Sequence, residues 1–449
     1  MKIIAYKDFS KQTRSILKLG IPIIIGQLGA IITGLADTIM VGQHSTAELG
    51  AASFVNNVIN MFIILGTGFS FNLTPIIGEN LAQKKNFEIG GWLKNSIFSN
   101  MTTAAIIFLI LWFIYLNISS LGQPEELMPL IKPYYVISMI SFIFVMLANT
   151  FRQFLEGIMD APTSMWVLTV GNMLNIFGNY ILIYGKGGLP EMGLLGAGIS
   201  TLISRIVILV LFVTVFLLRK SYHEYQVGFK ETGIHRKFRK RLNAIGWPIA
   251  LQQGIEAATF CLTTIMIGWI GGLELAAHQI AISISTVSFT IYLGLGAATA
   301  IKTSIYKGKD NFSKIRQTTF CGIVLSILVS LVISILLFFG TTTLGRFFTD
   351  DPEVLQIVAL LIPVLMLYQF GDSIQIILAN ALGGINDVKA TMWIAFLSYF
   401  VVALPAGYTI AFVLGRGITG VWLSYPIGFA IGVLLLGLRA IKVMHRKAN

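Results

Sequence analysis

Three carboxylates, Asp37, Glu256 and Asp372, stand in stretches that are otherwise apolar. An ionised acid at bilayer depth costs several kcal/mol unless it faces a wet cavity, a cation or a partner. Their neighbours share faces at helical spacing: Gln252, Glu256, Thr259 and Thr263 on one, and Tyr368, Asp372 and Gln375 on another. Asn172, Asn175 and Asn179 form a third, an amide stripe at i, i+3 and i+7. Faces this rich in neutral and anionic oxygen suit Na⁺ or a cationic organic molecule. Two plainer readings compete. Amide stripes also join transmembrane helices, and an acid can be neutralised by Lys302 or Arg205, which also fall within apolar stretches. Neutralisation serves one acid more readily than all three.

Other polar positions divide the same way. Gln279, beside His278, is read as packing or hydrogen bonding, with cavity lining as the alternative. Asp351 belongs to Asp350-Asp351-Pro352-Glu353, a helix-start signature whose acids lie at the positive end of the dipole; the same acids can attract cations at an outer mouth. Substrate contacts are therefore expected from Asn172, Gln252, Gln279, Gln375 and Asp351. Arg152 and Glu156 read as a structural i,i+4 pair.

Long elements must carry these groups. The chain of 449 residues is 55% hydrophobic and 12% charged, with a mean hydropathy of +0.79, too apolar for a soluble domain of that length. Apolar stretches long enough to cross a bilayer lie near 16–41, 49–76, 95–117, 131–155, 162–185, 194–218, 244–270, 275–302, 318–340, 354–382, 388–414 and 418–438. They are too long and too little alternating for barrel strands. The expected fold is all-α, a polytopic membrane protein of about twelve helices. Its 31 Phe and 15 Met would face lipid or core, or give a cavity soft walls.

The net charge of +12 gathers at alternate connections. Lys2, Lys11, Arg14 and Lys18 precede or open the first span, and Lys84, Lys85 and Lys94 follow the second. A dense group from Arg219 to Arg241 joins spans six and seven, and Arg439, Lys442 and Lys447 close the chain. This is the positive-inside pattern of an inner (plasma) membrane protein with both termini cytoplasmic, not a nucleic-acid patch. The expected divisions are a bundle at 1–218, a basic linker at 219–243 and a second bundle at 244–449. Cys261 and Cys321 read as buried thiols. No GxxxxGK[ST] or HExxH motif is present, so no cofactor is expected and uphill transport would need an ion gradient. The expected assembly is a monomer.

The two bundles are copies. Leu155–Trp166 (LEGIMDAPTSMW) and Leu382–Trp393 (LGGINDVKATMW) share six of twelve positions without a gap. Gly20-Ile21-Pro22 pairs with Gly246-Trp247-Pro248, Gln27 with Gln253, Thr38–Gly42 with Thr264–Gly268, Asn86-Phe87 with Asn311-Phe312, and Pro124-Glu125 with Pro352-Glu353. Six spans per copy make the repeats parallel, and two such bundles imply a central cleft.

Ala36-Asp37-Thr38-Ile39-Met40-Val41-Gly42, Leu49-Gly50-Ala51-Ala52 and the twinned Leu-x-Gly-Ile-x-Asp segments resemble the multidrug and toxic-compound extrusion (MATE) family over essentially the whole chain. Glu256 with Asp372 is similar to its NorM-type branch. The resemblance implies antiport of organic cations against Na⁺ or H⁺. It also implies a cation site of Glu256, Asp372 and Tyr368 in the second half, and one of Asp37, Asn175 and Asn179 in the first. A proton-coupled branch relies on the first-span Asp, so the coupling ion stays open between Na⁺, the expected one, and H⁺. Competing readings are a lipid-linked oligosaccharide flippase, which should need basic residues for a diphosphate, and an intramembrane enzyme, for which no nucleophile–base constellation is evident.

Overall fold

A computed structural model describes residues 6–346 and 348–446; the basic residues Lys2 and Lys447 lie outside them. The first half runs α1 (Tyr6–His44), α2 (Thr46–Ser70), α3 (Leu73–Ala82), α4 (Asn86–Leu116), α5 (Met128–Gly157), α6 (Ala161–Ile183) and α7 (Gly193–Leu218), then a short α8 (His223–Glu231). The second runs α9 (Arg236–Gly268), α10 (Gly272–Gly308), α11 (Phe312–Arg346) and α12 (Pro352–Gly384). A composite helix follows, of α13 (Val388–Phe396) and α14 (Leu404–Tyr408) with π-helical turns at Leu397–Ala403 and Thr409–Val413, and α15 (Gly417–Arg446) ends the description. No strand occurs among the described residues.

Eleven helical segments among the described residues are long and apolar enough to span a membrane. The twelfth expected span, 244–270, coincides with most of α9, which is 33 residues long but too polar to count with the others. Gln252, Gln253, Glu256 and the threonines after them dilute its hydropathy.

The chain forms two compact units, residues 25–250 and residues 1–24 with 251–449. Both divisions fall inside helices, just after Pro22 of α1 and Pro248 of α9. A proline inside a helix removes a backbone hydrogen bond and crowds the preceding turn, so the helix can change direction there. Before Pro22, α1 packs on α10 and α11: Gln12 Nε2 donates to the Tyr306 hydroxyl at 2.9 Å, and a Cβ on Gly20 would sit 3.4 Å from Leu295. Beyond it, α1 runs along α6, with Gly26 against Leu168 and Gly29 against Asn172. The early part of α9 likewise packs on α2 to α4 through Asn243–Ser99 and Gly246–Phe69, and its later part on α10 and α15 through Thr264–His278 and Thr263–Tyr425.

The 219–243 segment, expected as a linker, is built structure. Lys220–Tyr222 forms a 3₁₀ turn and α8 lies across α4. Gly90 and Gly228 make that crossing possible: a Cβ on either would collide with a carbonyl oxygen of the facing helix, that of Tyr225 or Phe87. Asn95 then clamps the turn into α9, with Nδ2 donating to Gly233 O at 3.1 Å and Oδ1 accepting from the His235 amide at 2.8 Å.

Each unit has its own core. In residues 25–250 it includes Val55, Ile107, Leu111, Tyr135, Phe142 and Met146. In the other it gathers around Leu361, Leu365, Tyr368, Trp422, Tyr425 and Phe429. Outward-facing Phe113, Leu218 and Phe339 are well exposed, as expected where lipid supplies the solvent.

The repeated motif is a helix-end device. The Asp160 amide donates to Leu155 O at 2.8 Å and the Asp387 amide to Leu382 O at 3.0 Å, each after a residue of positive φ, Met159 (66°) and Asn386 (65°). That is a Schellman closure. Leu155 and Leu382 are buried, while Trp166 and Trp393 are exposed at 63% and 64%, suiting the membrane interface. The aspartates bind the end of each bundle's last helix: Asp160 to Arg219 at 2.5 Å, and Asp387 to Arg439 at 2.7 and 2.9 Å. The same closure ends α3 and α10, where the Lys85 amide reaches Asn80 O and the Asn311 amide reaches Tyr306 O. Asn311 therefore corresponds to Lys85, and the pairing of Asn86-Phe87 with Asn311-Phe312 is one residue out of register.

Candidate cation-binding site

In the second unit α9 and α12 supply two acids. Glu256 accepts from Gln252 Nε2 at 3.3 Å, so those two members of the α9 face meet. One and two turns further, Thr259 and Thr263 are buried; Thr263 hydrogen-bonds the Tyr425 hydroxyl, and Thr264 bonds His278 Nε2 at 2.9 Å. On α12, Asp372 is 4% exposed and its Oδ2 has no hydrogen-bond partner. Gln375, one turn on, donates from Nε2 to the Tyr399 hydroxyl at 2.7 Å and leaves its Oε1 unpartnered. Glu256 lies within electrostatic reach of Asp372, Tyr368 and Tyr399.

Tyr368 is wedged among rings, with centroids 5.9 Å from Trp422, 5.7 Å from Tyr425 and 5.1 Å from Phe429. These rings pack around Tyr368, four residues before Asp372, and a low-dielectric surrounding of this kind strengthens electrostatic interactions. Gln369 extends the polar layer: its Oε1 accepts from Tyr292 at 2.9 Å, and its Nε2 is unsatisfied.

In the first unit Asp37 of α1 meets the amide stripe of α6. Asn179 Nδ2 donates to Asp37 Oδ1. Asn175, with its amide turned to satisfy both ends, donates to the same oxygen at 2.9 Å and accepts from the Thr201 hydroxyl at 3.1 Å. Asn172, third of the stripe, lies against Gly29 with its Nδ2 buried and unpartnered. It is not joined to Asp37 by a hydrogen bond.

The alternative counter-ions are engaged elsewhere. Arg205 donates to Ser141 Oγ at 2.5 Å, within electrostatic reach of Asp37 but without an ion pair, and Lys302 sits over the Tyr306 ring at 5.9 Å. None of the three acids forms an ion pair among the described residues. Arg152 and Glu156 do pair, at 2.7 Å.

Two expected substrate contacts lie apart from this constellation. Gln279 is exposed on α10 and has no hydrogen bond to either acid. Asp351 is the exposed N-cap of α12, accepting from the Glu353 amide at 2.9 Å, which is its helix-start role. Spacing did not point to Tyr399, Tyr425, Gln369 and Tyr292. Tyr399 lies in a π-helical turn, where 3.6-residue arithmetic fails, although such turns mark functional positions. Gln369 was the readable one, a buried amide three residues before Asp372.

Known proteins resemble this chain in sequence and in fold. The MatE family model matches twice, at residues 22–181 and 248–409, one match in each half. The chain is 30% identical over 433 residues to the "Probable multidrug resistance protein NorM" of Photorhabdus laumondii subsp. laumondii, covering 95% of this chain and 94% of the relative. It is 27% identical to the "Multidrug resistance protein NorM" of Photobacterium profundum, covering 96% of each. Among solved structures, an outward-facing multidrug resistance MATE family transporter of the MOP superfamily superposes with a TM-score of 0.90 at 20% identity, over 97% of each chain. A MOP superfamily transporter from Pyrococcus furiosus, whose binding pocket is described as having reverse polarity, superposes with a TM-score of 0.89 at 20% identity, over 98% of this chain and 97% of that one. With both halves matched by one family model and its relatives aligned end to end, this multi-pass membrane protein is a transporter rather than an enzyme, and it belongs to the MatE family.

Proposed function

We propose that the chain is a secondary active multidrug efflux antiporter. It exports cationic amphiphilic compounds in exchange for Na⁺, with H⁺ as the alternative coupling ion, by alternating access in the inner membrane with both termini cytoplasmic. The observation that carries this reading is the set of three intramembrane carboxylates without a basic ion-pair partner. Uncompensated negative charge at that depth is costly, roughly 2.5–3.5 kcal/mol for an Asp at a helix centre on insertion scales. A cation from solution is the economical neutraliser. Competition between an inorganic cation and an organic one for the same carboxylates supplies coupling, because each lowers the other's occupancy.

Na⁺ is favoured over H⁺ by the neutral oxygens beside the acids. A proton needs only the carboxylate, whereas Na⁺ needs several oxygen ligands. Asn175 and Thr201 beside Asp37, and Gln375 and Tyr399 near Asp372, offer them. The flippase reading is disfavoured because the charges around Asp372 are acidic, where a diphosphate needs bases. Fold alone does not decide this, since a protein of reversed pocket polarity shares the fold.

The test is transport in reconstituted vesicles. Efflux of a cationic dye should follow an imposed Na⁺ gradient at constant pH. Full transport under a pH gradient in sodium-free medium would transfer the coupling role to H⁺. No dye movement under either gradient would overturn the antiporter reading.

A further inference from the structure

A second polar site lies at the basic end of residues 25–250, where α9 begins beside α4. A cavity of about 90 Å³ is lined by Ser99, Thr102, Thr103, Arg239, Asn243 and Trp247, with Ile106 as its apolar wall. It shares Arg239 and Asn243 with an open basin of about 660 Å³ that Arg236, Lys237 and Lys240 also line. At that volume the inner cavity holds several water-sized groups, room enough for a phosphate.

The charges here are uncompensated. Arg241 points elsewhere, pairing with Glu79 at 2.8 Å over the Trp92 ring. Arg236, Lys237, Arg239 and Lys240 form no ion pair among the described residues. Arg239 is held over the Phe98 ring at 5.0 Å, and its Nε is buried with no acceptor. Ser99 Oγ donates to Asn243 Oδ1 at 2.6 Å, which turns the Asn243 amide nitrogen free to donate. The first turn of α9 adds its own positive dipole. The Arg239 guanidinium and the Asn243 amide nitrogen therefore both offer donors at this recess. The rim is apolar and open: Phe98, beneath Arg239, and the lining residues Ile106 and Trp247 are 38%, 47% and 39% exposed.

We propose that this is a binding site for an anionic phospholipid. The phosphate is held by Arg239, Asn243 and the basic side chains of the basin, and the acyl chains lie along Ile106 and Trp247. A free phosphate would use the donors but leave the apolar rim unexplained, whereas a lipid uses both. Basic recesses at helix ends on one membrane face recognise anionic headgroups in this manner. The lipid would also fasten the start of α9, the helix that carries Glu256 further along.

The experiment uses the full chain, purified in detergent and stripped of lipid, with spin-labelled phosphatidylglycerol and phosphatidylcholine as probes. Phosphatidylglycerol should be retained at least several-fold better than phosphatidylcholine. Lys237→Gln with Lys240→Gln should weaken that preference, and Arg239→Gln should abolish it. Lys220→Gln with Lys309→Gln removes the same charge elsewhere and should leave the preference intact. Because the Lys237 and Lys240 side chains are exposed, that pair keeps the test valid if Arg239→Gln unfolds. Equal retention of the two lipids, or an unchanged preference in the Lys237/Lys240 variant, would refute the site. Displacement of the lipid by millimolar inorganic phosphate would reassign it to a soluble anion.

Discussion

Asp372 and Asp37 solve the same problem in different ways. Asp37 is satisfied by amides from α6, whereas Asp372 keeps one buried oxygen without any partner. A buried, half-satisfied acid costs more than a satisfied one, so on the proposed reading a cation from solution would gain more beside Asp372 than beside Asp37. Glu256→Gln and Asp372→Asn should each abolish dye export while leaving membrane insertion unchanged, read as transport normalised to protein in the membrane. Wild-type efflux by either would remove that residue from the coupling site. Asn175→Ala takes one donor and one oxygen away from the first-half acid, so the Na⁺ concentration for half-maximal transport should rise several-fold. Tyr368→Phe should do the same in the second half; no change in either would leave the amide and phenol structural.

At the scale of elements, close helix crossings decide which polar groups meet. A Cβ on Gly384 would collide with Thr303 Oγ1 and stand 2.5 Å from Ala300 O, pushing α12 off α10. Overpacking of that kind costs about 1–3 kcal/mol. Gly384→Ala should lower the midpoint of thermal unfolding in detergent and reduce transport together. Gly437→Ala, with nothing near its added methyl, should be neutral or slightly stabilising. These crossings were only partly readable beforehand. The Leu-x-Gly-Ile-x-Asp repeat announced itself as identity, but its physical content, a Schellman closure followed by an Asp–Arg clamp, needs residues 52 and 59 positions away. The π turns after α13 were not readable, since an extra residue per turn changes no residue type.

For the whole molecule, the repeat is preserved in backbone more faithfully than in chemistry. Gly193 and Gly417 open the last long helix of each half at φ 52° and 53°. Yet Asp37 answers to Thr263 by the paired Thr38–Gly42 and Thr264–Gly268 segments, and the second half carries its acids on other positions. The two halves share a scaffold and differ in the acids they carry on it. The topology inferred from the basic residues can be checked with impermeant thiol labelling after Cys261 is replaced. A cysteine at Gln123 should react in intact cells, and one at Lys85 or Lys237 should not. Labelling at Lys237 would overturn the parallel, cytoplasmic-termini arrangement.

Hydropathy, charge placement and internal identity are properties of the chain as a string. They were enough to determine a helical membrane protein, about twelve spans, two copies of one bundle and the three acids to watch, while the family rested on the resemblance of particular motifs. Contacts between distant segments are not written in that string. Tertiary structure alone decided that α1 and α9 change packing partners after Pro22 and Pro248, and that Asn175 and Asn179 reach Asp37 while Asn172 faces Gly29. It also decided that Arg205 and Lys302 leave the acids unpaired, and that the basic 219–243 segment is folded onto α4. The reason is geometric. Spacing tells which residues share a face of one helix, but which face meets which depends on crossings set by small residues and prolines on every helix at once.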